Sequence, residues 1–437
     1  MPTGFYGSAR QNRGASRTAA AAALVAGLVF GTAAPSIAAA ADEPPESGPG
    51  ATYRAPGQPL TTPVPSRAHD STTVEKSEED LRVATLHADL VADEDGGHSA
   101  EQLVAALRTG NHARARVIAR TVQMNEPDVL VLTGVTYDDA EMVAEHLRSL
   151  YLSSGQDGLP GLDYPHMFTA DTNSGRESGM DLDGDGTIGG PGDAIGYGDY
   201  PGQYGMIVFS KHPIVAEEIR TFQDFLWKDL PDPSIPTAYS ELEESILRLQ
   251  ESSLWDVPVE VPGGEEPVHV IATAVASQHS TEAAAARADD IRTVVSDYVS
   301  GSAWYLTDDA GRSGGLTPGA DAIVAGAPLA EADEPTEALG TLLDSAPLQD
   351  PEPQAVTEVP ISQRFGSSGG SDETATRYVP DDQDCRASLV LPSSSLTVSN
   401  SGIFWPGDGE EGHALVDPSS RYALQDRLVW VDLTTGD

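Results

Sequence analysis

Short apolar runs at residues 81–86, 128–132, 206–209, 268–274, 322–325, 389–391, 396–399 and 428–433 constrain this chain more than any other feature. Each reads as a β-strand bounded by turn residues. After Asp128 the second run is unbroken, as in a strand covered on both faces. Helices fall between the runs. Ser99-Ala-Glu-Gln102 gives a capping-box start to one that carries Leu103 and Leu107. Asn111 can cap a second, whose Val117, Ile118 and Val122 share a face before Pro127 stops it. A third, over about 139–152, presents Met142, Val143, Leu147 and Leu150, and a fourth spans about 281–299. Two stretches interrupt this order: 154–203, dense in Gly, Asp and Pro, is expected to be a long structured insertion, and acidic, Pro-rich 330–384 a mobile excursion. Irregular spacing and consecutive strands near the C-terminus favour two packed, mainly antiparallel sheets with outer helices over a parallel sheet alternating with helices.

Residues 1–40 read as a signal peptide of the general secretory type. Arg10, Arg13 and Arg17 precede an apolar run from Ala19 to Ala34, and small residues at 38–41 suit a signal peptidase. There is neither an adjacent arginine pair nor a lipobox cysteine, so a secreted protein without a lipid anchor is expected. No other stretch approaches the roughly 20 apolar residues of a membrane span. Residues 41–77, rich in Pro, Gly, Ser and Thr, read as a disordered linker, and 78–437 as one domain with a large core. The net charge of −43 makes nucleic acid a poor partner, because phosphate backbones are held by clustered Lys and Arg. An extracellular ligand or envelope component is the expected partner. Cys385 is the only cysteine, so no intrachain disulfide forms, and Asp381, Asp382 and Asp384 beside it disfavour a reactive thiolate.

Four segments carry a resemblance: Arg82-Val-Ala-Thr-Leu-His-Ala-Asp-Leu90, Asp128-Val-Leu-Val-Leu132, Gly202-Gln-Tyr-Gly-Met-Ile-Val-Phe-Ser-Lys-His-Pro-Ile214 and Arg427-Leu-Val-Trp-Val-Asp-Leu433. In order and spacing they resemble secreted members of the endonuclease/exonuclease/phosphatase family. The resemblance implies an α+β fold, the DNase I-like four-layer α/β/β/α sandwich of two mainly antiparallel sheets. It also implies hydrolysis of a phosphoester by a divalent cation, a base and an acid placed at strand ends.

The residues at those places are the wrong ones. His87 stands where the resemblance implies an Asn, and Thr133-Gly134 where it implies Asn-Glu, the Glu being the main metal ligand. Ala274 replaces a His, while Gly326-Ala327-Pro328-Leu329 replaces Gly-Asp-x-Asn, so Ala327 and Leu329 remove a carboxylate and an amide. Ser388 falls at an acidic position, and Gln425-Asp426 replaces the Asp-His pair of general acid/base chemistry. Catalytic Mg²⁺ or Mn²⁺ is therefore not expected.

One motif is intact. Asp181, Asp183 and Asp185 alternate ahead of Gly186 and Thr187, as at the start of an EF-hand loop, with Asp193 as a closing ligand one place later than usual. A structural Ca²⁺ bracing the insertion is expected there. Aromatic residues in 222–229, 255–258 and 404–406 are expected to pack loops onto the sandwich rim or to offer a ligand platform. The expected function is that of an exported pseudoenzyme serving as a binding or cell-envelope module. The alternatives are a metal-dependent phosphodiesterase or phosphatase, in which His87 and Asp426 rebuild a site with His279 or His413, and a calcium-stabilised structural protein.

Overall fold

The computed structural model describes residues 73–92, 98–275, 281–329, 335–355, 375–377 and 385–434. The expected signal peptide, the linker as far as residue 72, His279, Asp381, Asp382 and Asp384 lie outside them. The strands are β1 (Asp80–Leu90), β2 (Val129–Val135), β3 (His166–Phe168), β4 (Gly205–Ser210), β5 (Arg220–Thr221) and β6 (Leu254–Val259). They continue with β7 (Val268–Ala274), β8 (Ala322–Ala327), β9 (Leu389–Pro392), β10 (Val398–Ile403) and β11 (Val429–Thr434). The helices are α1 (Ala100–Leu107), α2 (Ala113–Asn125), α3 (Met142–His146), α4 (Glu241–Glu244), α5 (Glu282–Ser300) and α6 (Pro335–Ser345).

Two sheets form, a six-stranded one ordered β10-β11-β1-β2-β4-β3 and a five-stranded one ordered β5-β6-β7-β8-β9. Each is antiparallel except for one central parallel pair, β1/β2 in the first and β7/β8 in the second. The side-chain period of two sorts the five-stranded sheet into faces. Val268, Val270, Ala272 and Ala274 join the core shared with the six-stranded sheet, whereas Ile271 joins Ile291, Val294, Val295 and Tyr298 of α5. Helices α1 and α2 bury Leu103, Leu107, Ile118 and Val122 in the core of the six-stranded sheet. The result is the expected α/β/β/α sandwich. Among the described residues no helix is long and apolar enough to cross a membrane.

Several local expectations change. The cap of α2 is His112, whose ring accepts from the Ala115 N–H at 3.4 Å, because the Asn111 side chain instead donates to Thr109 O. Ser99 caps α1, but Gln102 reaches past it to accept from the His98 N–H at 2.6 Å. The third helix gives way after His146 to a wider π-turn, Leu147–Leu152, and the Gln123 amide donates to the carbonyls of Leu152 and Ser154 at its end. Trp255 sits in β6, wholly buried between the sheets and not at the rim. Within 330–384, where mobility was expected, 335–345 form α6, with Ala338 and Leu342 buried against the α5 layer. The stretches 330–334, 356–374 and 378–384 lie outside the described residues.

Candidate functional site

Strand ends place the candidate residues. His87 lies opposite Thr133 where β1 and β2 end, and its Nδ1 is 3.0 Å from Thr133 Oγ1. Gly134 follows with φ +65°, and the His87 ring lies over its α-carbon: a Cβ there would stand 2.5 Å from His87 Cε1. The imidazole thus fills the space into which a side chain at 134 would project. In the other sheet Ala274 lies opposite Ala327 at the ends of β7 and β8. Ser388 is buried just before β9.

Two residues that no sequence pattern singles out, Thr376 and Arg377, join the two sets. Thr376 Oγ1 accepts from the Ala387 and Ser388 N–H groups, both at 2.9 Å, beside the start of β9. The Arg427 N–H, just before β11, donates to Thr376 O at 2.7 Å. Next along the chain, Arg377 Nε donates to Asp426 Oδ1 at 2.8 Å. A strap at 375–377 therefore ties the approaches to β9 and β11 together.

Leu329 departs from its expected place: its side chain packs in the α5/α6 cluster, because the chain has already turned away from β8. Gln425 is exposed. His413 Nδ1 lies 3.2 Å from Pro406 O. Among the described residues, the one group of three carboxylates or imidazoles close enough together to share an ion is Asp181, Asp183 and Asp193. His87, Asp426 and His413 do not form such a group among the described residues, and His279 lies outside them.

Burial depresses the pKa of His87, with Arg377 and Arg114 adding to the effect, while Asp426 and Asp89 oppose it without overcoming it. The ring is neutral near pH 7. A second histidine behaves oppositely. Burial also disfavours charge on His269, but Asp256, whose carboxylate lies 2.8 Å from its Nδ1, outweighs this and raises its pKa. Asp256 also accepts from the Tyr298 hydroxyl at 2.6 Å, so that the half-buried His269 is linked through a buried carboxylate to a buried hydroxyl of α5.

Both histidines make stability depend on pH in a defined direction. A raised folded pKa gives His269 a stabilising contribution that is complete below its ordinary value of 6.5 and is lost as pH rises through the folded value. The depressed pKa of His87 means that the unfolded chain takes up a proton first as pH falls below 6.5, so stability declines toward acid. Urea midpoints measured from pH 5 to 8 are expected to show His269→Gln flattening the alkaline limb and His87→Gln the acid one.

The Asp-rich loop closes on Asp193, which is 3% exposed. Its Oδ1 accepts from Leu182 N at 2.6 Å and its Oδ2 from Gly189 N at 2.8 Å. Asp181, Asp183 and Asp193 each bring an oxygen within 4.8 Å of the others, and Asp181 Oδ1 is buried with no hydrogen-bond partner among the described residues. Three converging carboxylates with an unsatisfied oxygen suit a hard divalent cation. Asp185 stands outside the group, and its carboxylate accepts from the Thr187 N–H at 2.7 Å. Thr187 is exposed.

A family model described as the endonuclease/exonuclease/phosphatase family matches residues 102–326, more than half of the chain. Among solved structures, an endonuclease/exonuclease/phosphatase from Beutenbergia cavernae is similar at 19% identity and a TM-score of 0.46, over 82% of this chain and 72% of its own. Sphingomyelinase C from Streptomyces griseocarneus is similar at 18% identity and a TM-score of 0.42, over 81% and 99%. A mannosyl-6-phosphatase from Bacteroides thetaiotaomicron gives 12% identity and a TM-score of 0.41, over 81% and 99%. No curated protein matches the chain.

Proposed function

The chain belongs to the endonuclease/exonuclease/phosphatase family, and from that premise we propose that it is an exported member that no longer hydrolyses phosphoesters and serves as a binding or cell-envelope module. One observation carries the reading: the His87 ring occupies the space above Gly134 where the family's metal-holding carboxylate would project. The surroundings agree with it. Ala274 and Ala327 carry no ionisable group, and the remaining carboxylate, Asp426, is held by Arg377. Loss of one general acid/base costs about 10²–10⁴ in rate, and loss of the main metal ligand can cost the ion itself. Export is supported by the charged and apolar pattern of residues 10–41.

The test is hydrolysis of a nitrophenyl phosphodiester with Mg²⁺, Mn²⁺ or Ca²⁺. The protein is expected to stay at the background rate. A variant combining His87→Asn, Gly134→Glu, Ala274→His, Ala327→Asp, Gln425→Asp and Asp426→His, with Arg377→Met because Asp426 pairs that guanidinium's Nε, is expected to rise above it. Leu329 is left unchanged because it packs in the α5/α6 cluster. Hydrolysis by the unaltered protein that disappears in His87→Ala or Asp426→Ala would replace this reading with that of an enzyme using unconventional residues.

In the same reading a calcium ion, held by Asp181, Asp183 and Asp193, braces the insertion, whose Leu182 packs against the α5 layer. At calcium about 100-fold above its dissociation constant, such a site adds about 2.7 kcal/mol of stability. Chelation is expected to lower the melting midpoint by that equivalent, and Asp193→Asn to abolish the response. A midpoint indifferent to calcium would remove the ion from the account.

A further inference from the structure

We infer that the Arg377 guanidinium is the resident cation of the strand-end site, so that the chain supplies its own positive charge there through the strap at 375–377. The inference rests on the non-hydrolytic reading above. It starts from Asp426, which is 5% exposed. A carboxylate that deep in protein is costly unless a positive charge meets it, and that charge comes either from solvent as a metal ion or from the chain. Here it comes from the chain: the Arg377 and Asp426 side chains are 13% and 6% exposed and meet at 2.8 Å. A guanidinium cannot lose its charge at any ordinary pH.

The placement is built. Ala375 and Thr376 are 2% and 0% exposed, and backbone bonds join Thr376 and Arg377 to Cys385 on one side and Arg427 on the other. A tethered cation so held does not diffuse away as a metal ion does. The second charge pair near His87, Arg114 with Asp89 at 3.5 Å, is looser, and its carboxylate is 47% exposed. An incoming divalent ion would thus meet a fixed positive group, a neutral imidazole and a carboxylate already engaged.

A strap that merely pins the sheets would depend on Thr376, whereas the cation role depends on charge at 377. In calcium-saturated buffer, Arg377→Met is expected to lower the melting midpoint of the full chain by about 5 °C or more, as for loss of one partner of a buried pair, and Arg377→Lys by less. Millimolar Mn²⁺ is expected to raise the midpoint of Arg377→Met more than that of the unaltered protein. Arg377→Met combined with Asp426→Asn should regain most of the loss and stop responding to Mn²⁺. Equal Mn²⁺ shifts in the unaltered protein and Arg377→Met, or an unchanged midpoint in Arg377→Met, would overturn the assignment. Phosphodiester hydrolysis appearing in the unaltered protein would remove the non-hydrolytic reading and leave these melting results to decide the cation on their own.

Discussion

Gly134→Ala is expected to destabilise the protein by roughly 2–5 kcal/mol, although it adds a single methyl group. Two costs combine. The backbone at 134 has φ +65°, where a side chain costs about 1–2 kcal/mol. The new carbon would also stand 2.5 Å from His87 Cε1 and 2.9 Å from Nε2, and overpacking of that kind costs about 1–3 kcal/mol. Only the second cost depends on the imidazole. Gly134→Ala with His87→Ala should therefore recover part of the loss, with a coupling of about 1–3 kcal/mol in a double-mutant cycle read from urea midpoints. A single variant within about 0.5 kcal/mol of the parent would show that the ring does not fill this space. The same geometry dictates how the site could be restored: a glutamate cannot enter at 134 until position 87 has been made smaller.

Arg82→Met should be at least as damaging, by about 3–5 kcal/mol, because it strands a buried charge. Arg82 Nε and Nη2 each donate to Asp432 at 2.7 Å, Nη1 donates to Asn125 O at 2.9 Å, and the guanidinium lies 4.1 Å from the Trp430 ring centre. Burial already pushes the Asp432 carboxyl above its ordinary range, against the pull of Arg82. With Arg82 gone the acid holds its proton to still higher pH, so the loss should be greatest at neutral pH and shrink toward acid. Replacing both partners by apolar residues should recover most of it, since a buried pair is worth little more than the hydrocarbon that fills its place. Denaturation of the single and paired variants at pH 5 and 7 decides this. A single variant as stable as the parent would mean that the pair is solvated in solution.

Strands were legible where apolar residues dominate the run. Residues 268–274 are β7 as expected, and the run after Asp128 is β2, though it continues to Val135. Strand β6 escaped because Asp256 and Pro258 interrupt it, and Asp256 is tolerated there only through its bonds to His269 and Tyr298. Helix α6 escaped because its acidic, Pro-flanked surroundings mask Ala338 and Leu342, four residues apart on its buried face. At the site, His87, Thr133, Gly134, Ala274 and Ala327 follow from strand ends, which a linear pattern can locate. Arg377 does not. Its partner is 49 residues away, and nothing periodic marks a three-residue strap held by a threonine hydroxyl and a guanidinium.

The order of strands in the six-stranded sheet has a kinetic consequence. β11 lies between β10 and β1, and the Arg82–Asp432 contact spans 350 positions of sequence. Until residues 429–434 have emerged from the ribosome, β1 exposes an unpaired edge and Arg82 has no counter-charge. Closure over so long a loop is slow. The β1 edge and its guanidinium therefore gain their antiparallel neighbour and counter-charge only after residues 429–434 have been made.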